Sequence, residues 1–108
     1  MESLNRIELI GIVGNSNITR IADTELLRMS VATTYGYTGT DGTNIYETTW
    51  HNVSAWKGEK ISDETIHEIH NGTKVRVVGR LRAIRFTDSE GNDRTTYEVM
   101  ANEIEIVK

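Results

Sequence analysis

The chain has 108 residues, 37% of them hydrophobic, which supports one compact domain over residues 1–108. It contains no cysteine, so disulfides and thiolate metal sites are excluded, and no apolar run approaches the ~20 residues of a membrane span, which favours a cytoplasmic protein. The net charge of −4 argues against a polyanionic partner, but five basic residues and no acid lie between Lys74 and Phe86, and binding follows the local field.

Alternating apolar residues predict two strands in the first third of the chain. In residues 5–13, Ile7 and Leu9 share a phase with Gly11 and Val13, and a second strand is centred on residues 27–31. Residues 14–17, Gly-Asn-Ser-Asn, are turn-forming and are expected to end the first strand.

A third strand is predicted over residues 46–56, a segment rich in β-branched and aromatic residues that has no glycine or proline. Because side chains alternate on a strand, Trp50 and Trp56 point the same way, about 20 Å apart. Their face otherwise carries polar side chains, whereas Val53 and Ala55 supply the opposite face with apolar ones. A buried core role for the indoles is the alternative, but both faces of a half-buried strand cannot be core. We therefore favour stacking on flat ligands, above all the bases of a single-stranded nucleic acid.

The remaining elements are a helix and two further strands. Isoleucines at helical spacing over residues 61–70, with Ser62 as cap, predict a short helix. Strands follow from residue 74 and over residues 95–107, separated by a turn at 88–92, with an irregularity expected at Asn102. Gly11 and Gly79 inside strands fit sharp coiling. We predict an all-β fold, a five-stranded Greek-key OB barrel with one short helix between strands three and four. An SH3-like barrel or a small sandwich is the alternative.

Five segments, in order, resemble the DNA-binding domain of bacterial single-stranded DNA-binding proteins. They are NRIELIG (5–11), SVAT (30–33), ETTWHNV (47–53), GTKVRVVGRLR (72–82) and DSEGNDR (88–94). The resemblance implies sequence-independent binding and protection of single-stranded DNA in replication, recombination and repair, by a homotetramer that needs no cofactor. Family members continue beyond the barrel into a flexible linker and an acidic tip, which this sequence does not contain. We therefore expect DNA binding here but no recruitment of proteins through such a tail.

The resemblance also indicates which residues bind DNA. It puts Trp50, Trp56 and Phe86 at positions where aromatic rings stack on bases, and Tyr37 near a fourth such position. Phe86 shares its strand phase with two arginines, whereas Leu81 is expected to point inward. The candidates for phosphate contacts are Arg28, Lys57, Arg76, Arg80, Arg82 and Arg85.

Other functions are less well supported. His67 and His70, with Glu64 and Glu68 nearby, could hold a metal, but such a set is more often a solvated helix face, so no metal site is predicted. His51 resembles a family position at a subunit contact. No catalytic set is found, so we do not expect an enzyme. The alternatives are a primosomal accessory adaptor with the same barrel, or an OB barrel that binds protein or saccharide.

Overall fold

Five strands close into a barrel in the computed structural model, which describes residues 2–58 and 60–108. The neighbours around the barrel follow the order β1-β2-β3-β5-β4, and β3 and β5 meet in parallel. The elements are β1 (Ile7–Ile21), β2 (Thr24–Thr38), β3 (Asn44–Trp56), α1 (Asp63–Glu68), β4 (Lys74–Thr87) and β5 (Asp93–Ile106). The predicted OB barrel, with its helix between strands three and four, is confirmed.

The first strand is longer than its sequence predicted, because it pairs with two partners in turn. Residues 7–12 pair with β4 and residues 12–21 with β2, and the register of the β1–β2 pairing shifts between Val13 and Ser16. The turn predicted at residues 14–17 was therefore wrong. Small and polar residues also suit a β-bulge, which bends a strand without ending it. The chain instead turns after Ile21, where Ala22 takes a positive φ of 54°.

The core lies inside the barrel and under α1. Its largest fully buried side chains include Leu27, Val53, Val75 and Val99 from the inner faces of four strands. Ser62 caps α1, since its Oγ accepts a hydrogen bond from the amide of Thr65. No helix in the described part of the chain is long and apolar enough to span a membrane.

Two glycines allow neighbouring strands to approach closely. A Cβ on Gly11 would overlap the carbonyl oxygen of Ala32, and one on Gly79 would overlap that of Met100. Beside Gly79 the pairing passes from Gly79↔Ala101 to Val78↔Glu103, so Asn102 is the extra residue of a bulge. The predicted irregularity at Asn102 is confirmed.

Two hairpins extend beyond the barrel, and we call them the β2–β3 arm (residues 34–48) and the β4–β5 arm (residues 81–97). The side chains of both arms are mainly exposed. They raise the radius of gyration to 16.2 Å, compared with about 13 Å for a typical domain of this length. Leu81, predicted to point inward, is exposed because β4 leaves the barrel after Gly79.

Candidate nucleic-acid interface

Both tryptophans lie on the outer face of β3. Trp50 is 60% exposed and Trp56 is 42% exposed, whereas Val53 and Ala55 between them are buried in the core. Strand alternation therefore places the indoles outside the barrel, as the sequence predicted. Ser54 shares their phase but is buried, since its hydroxyl donates a hydrogen bond to Oε2 of Glu98 at 2.9 Å.

A polar groove of about 380 Å³ runs across the strands beside Trp50. Every strand contributes to its walls: Asn15 and Asn17 from β1, Arg28 and Ser30 from β2, Asn52 and Ser54 from β3, Ile84 from β4, and Thr96 and Glu98 from β5. The ring of Trp50 borders this groove. A methyl group built on Gly14 would stand 2.5 Å from Cζ3 of Trp50 and 3.0 Å from Oγ of Ser30. The indole thus lies over Gly14, at the edge of the groove.

Trp56 lines a second groove, of about 680 Å³. Its lining includes the cations Arg6 and Lys60, the apolar side chain of Met100, and the acid Glu103. The two indoles therefore lie beside two different grooves along one strand, and not in a single pocket.

Phe86 is exposed on the β4–β5 arm and shares its side of β4 with Ile84, which lines the first groove.

Asp88 holds the turn that follows β4 at the end of this arm. A hydrogen bond from Arg94, with amide donations from Asn92 and Glu90, holds the pKa of Asp88 below its usual value. A carboxyl group whose pKa is lowered by folding stabilises the folded state at every pH above its unfolded pKa. This stabilisation is lost only as the pH falls through the folded pKa, so the turn stays intact at neutral pH.

Tyr37 lies on the opposite face of its arm from Trp50. Its cross-strand partner is Ile45, and its ring stacks on that of Tyr35 with centroids 6.0 Å apart. The hydroxyl of Tyr37 donates a hydrogen bond to Oε1 of Glu47 at 3.3 Å. The structure therefore brings Trp50, Trp56 and Phe86 to outward-facing positions and places Tyr37 elsewhere.

The six candidate cations fall into two groups. Three form ion pairs: Lys57 with Asp63 at 3.4 Å, Arg76 with Glu8 at 2.6 Å, and Arg82 with Glu98 at 2.9 Å. The other three, Arg28, Arg80 and Arg85, make no ion pair with any described residue. Arg28 is the one that lines the first groove.

Arg82 and Arg76 both have carboxylate partners but lie in different places. Glu98, which lines the first groove, accepts hydrogen bonds from both Arg82 and Ser54. Arg76 lies outside the groove, on the β1–β4 side of the barrel, where Glu8 and Glu105 neutralise its charge. An arginine neutralised in this way adds little positive field for a phosphate.

The sequence also matches a known protein family. The model of the Single-strand binding protein family matches residues 4–107. The chain belongs to this family. A single-stranded DNA-binding protein 1 from Xylella fastidiosa is 36% identical over 99% of this chain and 79% of its own length. A single-stranded DNA-binding protein from Neisseria meningitidis is 27% identical over 97% of this chain and 60% of its own length.

Solved structures in the single-strand binding family share the fold. The Plasmodium falciparum SSB in complex with ssDNA superposes with a TM-score of 0.83 at 21% identity, covering 99% of this chain and 96% of that one. A mutant single-stranded DNA-binding protein from Thermus aquaticus gives 0.80 at 19% identity, covering 97% of this chain and 51% of that one. At these identities the likeness concerns the barrel itself.

The histidines of the helix region are not arranged as the sequence suggested. Nε2 of His67 lies 3.4 Å from carboxylate oxygens of both Glu25 and Asp63, and these three ligand atoms lie within 4.8 Å of one another. The ammonium of Lys57 already contacts Asp63 at 3.4 Å. His70 is not part of this group, and its Nδ1 is hydrogen-bonded to the backbone oxygen of Glu68. The same carboxylate oxygen of Asp63 is therefore shared by the ammonium of Lys57 and the imidazole of His67.

Sequence reasoning missed Tyr46. It is 69% exposed and has the same strand phase as Trp50 and Trp56. The even-numbered side chains of β3 face outward, so strand alternation alone predicts that Tyr46 lies on the same face as Trp50 and Trp56. The family resemblance instead indicated Tyr37, near the end of β2, as the fourth aromatic.

Proposed function

We propose that this chain binds single-stranded DNA without sequence preference and protects exposed strands during replication, recombination and repair. The observation that carries the proposal is the pair of exposed indoles on the outer face of β3, each beside a groove. Membership of the single-strand binding family supports it, as do relatives named for single-stranded DNA binding. We also propose that it acts in the cytoplasm, in association with the nucleoid.

The proposed mechanism divides the work between rings and charges. Bases stack on Trp50, Trp56 and Phe86, and stacking tolerates any base because every base has a π-face. Tyr37 remains a candidate for a further stack. A bound DNA strand would have to pass round the β2–β3 arm to reach it. Neither stacking nor charge contacts need a cofactor or a metal ion.

Phosphates are contacted by cations, which read the backbone and not the sequence. Arg28, Arg80 and Arg85 form no ion pair with the described residues and are the first candidates for this contact. Lys57, Arg76 and Arg82 would have to exchange their present carboxylate partners for phosphates, so we expect the smallest contributions from them.

The salt dependence of binding tests this assignment. Each phosphate neutralised on a single strand contributes about −0.7 to the slope of log affinity against log salt. Three free arginines therefore predict a slope of about −2 or steeper for oligo-dT, measured by fluorescence anisotropy between 50 and 200 mM salt.

Variants make the salt experiment specific. Arg28→Ala should make the slope shallower by about 0.7, the share of one phosphate. Arg20→Ala is the matched control, because Arg20 is exposed at the far end of β1 and lies outside the groove. A flat salt response, or equal affinity for a duplex of the same length, contradicts the proposed function.

We also propose a homotetramer with β1 and the neighbours of β3 at the subunit contacts. Ile10 and Ile12 support it, since both are exposed apolar side chains on the outer face of β1. His51, which the family resemblance places at a subunit contact, is half-buried and hydrogen-bonded to Oγ1 of Thr33 at 2.8 Å. Light scattering at micromolar concentration should give four times the monomer mass of 12.2 kDa.

A charged substitution locates the contact within the assembly. Ile10→Glu should lower the mass, because it would bury an unpaired charge in the interface. Leu4→Glu is the control, since Leu4 is an exposed apolar residue ahead of β1. A monomer mass for the unaltered protein rules out the tetramer.

A further inference from the structure

The side chain of Tyr46 lies across a glycine on the β2–β3 arm. Gly36 is its cross-strand partner, and a methyl group built there would stand 3.0 Å from Cε1 and 3.1 Å from Cδ1 of the ring. The ring therefore occupies the space that a larger side chain at position 36 would take. It packs one side against the backbone and remains 69% exposed.

Trp50 shows the same arrangement with Gly14, since a methyl group there would stand 2.5 Å and 2.9 Å from two atoms of its ring. Two large aromatic side chains on β3 thus each cover a glycine of a different strand. A ring supported by backbone in this way has few alternative positions and leaves its outer surface open. Such a ring is suited to receive a flat ligand without a large loss of side-chain entropy.

The register of β2 and β3 puts Tyr46 and Trp50 on one face. The pairs Gly36↔Tyr46, Thr34↔Thr48 and Ala32↔Trp50 follow one another at intervals of two residues. The two rings are four residues apart along β3, a distance of about 13 Å. The cross-strand pair between them is Thr34 and Thr48, two small side chains whose hydroxyl oxygens are 3.4 Å apart.

We propose that Tyr46, supported by Gly36, is a further base-stacking position that extends the bound strand from the barrel onto the β2–β3 arm. The proposal rests on the single-stranded DNA binding proposed above. It adds a third ring to the two indoles on the outer face of β3. The bound strand then follows β3 along its whole length, from Trp56 past Trp50 to Tyr46.

The opposite face of the same arm is less suited to this role. There the rings of Tyr35 and Tyr37 stack on each other with centroids 6.0 Å apart. Glu47 lies on that face too, bonded to the hydroxyl of Tyr37, and its negative charge repels a phosphate backbone. The two faces of the arm therefore make distinct predictions.

The experiment compares two tyrosines of equal exposure. Tyr46→Ala removes the proposed position, and Tyr35→Ala is the matched control, since Tyr35 is 67% exposed on the same arm but on its other face. Kd is measured by anisotropy with a long oligo-dT for both variants, for Tyr46→Phe and for the unaltered protein. Melting temperatures are measured alongside.

Tyr46→Ala should raise Kd about five-fold or more, the lower end of the effect of losing one base–aromatic stack. Tyr46→Phe keeps the ring and should stay within about two-fold, as should Tyr35→Ala. All variants should melt close to the unaltered protein, because both side chains are exposed.

The outcomes separate this proposal from the function on which it rests. If Trp50→Ala weakens binding but Tyr46→Ala does not, the proposal is overturned and the proposed function stands. Equal losses for Tyr46→Ala and Tyr35→Ala also overturn it, because the face of the arm would then not matter. If the unaltered protein does not bind oligo-dT, both fail together.

Discussion

Trp50→Ala and Trp56→Ala should each weaken the binding of oligo-dT by about 1–3 kcal/mol, the usual range for one stack of a base on an aromatic ring. Both indoles are exposed on the outer face of β3, where they can meet bases without any rearrangement of the core. The affinity is measured by anisotropy at one fixed salt concentration, because the electrostatic part of binding varies steeply with salt.

The same variants should leave stability almost unchanged. A buried tryptophan replaced by alanine typically costs about 3–5 kcal/mol, mainly because a cavity remains. Trp50 and Trp56 would leave no enclosed cavity, so the melting temperature should move little. Trp50→Phe is a useful control, since it keeps a ring over Gly14 and should retain much of the affinity. Normal binding with a strongly lowered melting temperature would show that the indoles act as core.

Gly79→Ala should destabilise the barrel by about 1–3 kcal/mol or more, the range for overpacking a well-packed interior. The new methyl group would overlap the carbonyl oxygen of Met100 and stand 2.8 Å from Cα of Ala101. Both atoms belong to the backbone of β5 beside the bulge at Asn102, so no side-chain rotation can relieve the clash. Urea unfolding at a fixed protein concentration measures the change.

Gly58→Ala is the matched control for the barrel glycine. Among the described residues, the nearest atom to a methyl group at Gly58 would be the carbonyl oxygen of Trp56, at 4.0 Å. We expect a change within about 0.5 kcal/mol for it, as for most surface substitutions. If Gly79→Ala were as stable as this control, β4 and β5 could not approach as closely as described.

The sequence predicted those parts of the fold that depend on local patterns. Strand alternation was enough to place Trp50 and Val53 on opposite faces of β3, and the capping pattern was enough to place Ser62 at the start of α1. Both features depend only on neighbouring residues, and both are confirmed.

Features that depend on strand pairing could not be predicted in this way. Gly14 sits in a segment that suits a turn and a bulge equally, and only the pairing of β1 with β2 on both sides of it selects the bulge. The ion pair of Arg76 with Glu8 joins residues 68 positions apart, so it follows from the β1–β4 register alone. Leu81 has the phase of a core residue but lies where β4 has already left the barrel.

The candidate site shows the same division between local and long-range information. Trp50, Trp56 and Phe86 follow from phase together with the family resemblance, whereas the support that Gly14 and Gly36 give to neighbouring rings needs cross-strand geometry. Tyr37 was indicated by the family resemblance, without a strand prediction that would have defined its face. The paired register shows that Tyr46, and not Tyr37, shares the face of Trp50.

The central claim is that exposed indoles of this barrel stack on the bases of single-stranded DNA. Titration of the intrinsic tryptophan fluorescence with oligo-dT tests it most directly, because Trp50 and Trp56 are the only tryptophans in the chain. We expect saturable quenching that salt reverses, and each alanine variant should lose part of it. Binding that leaves the fluorescence of both indoles unchanged would contradict the claim.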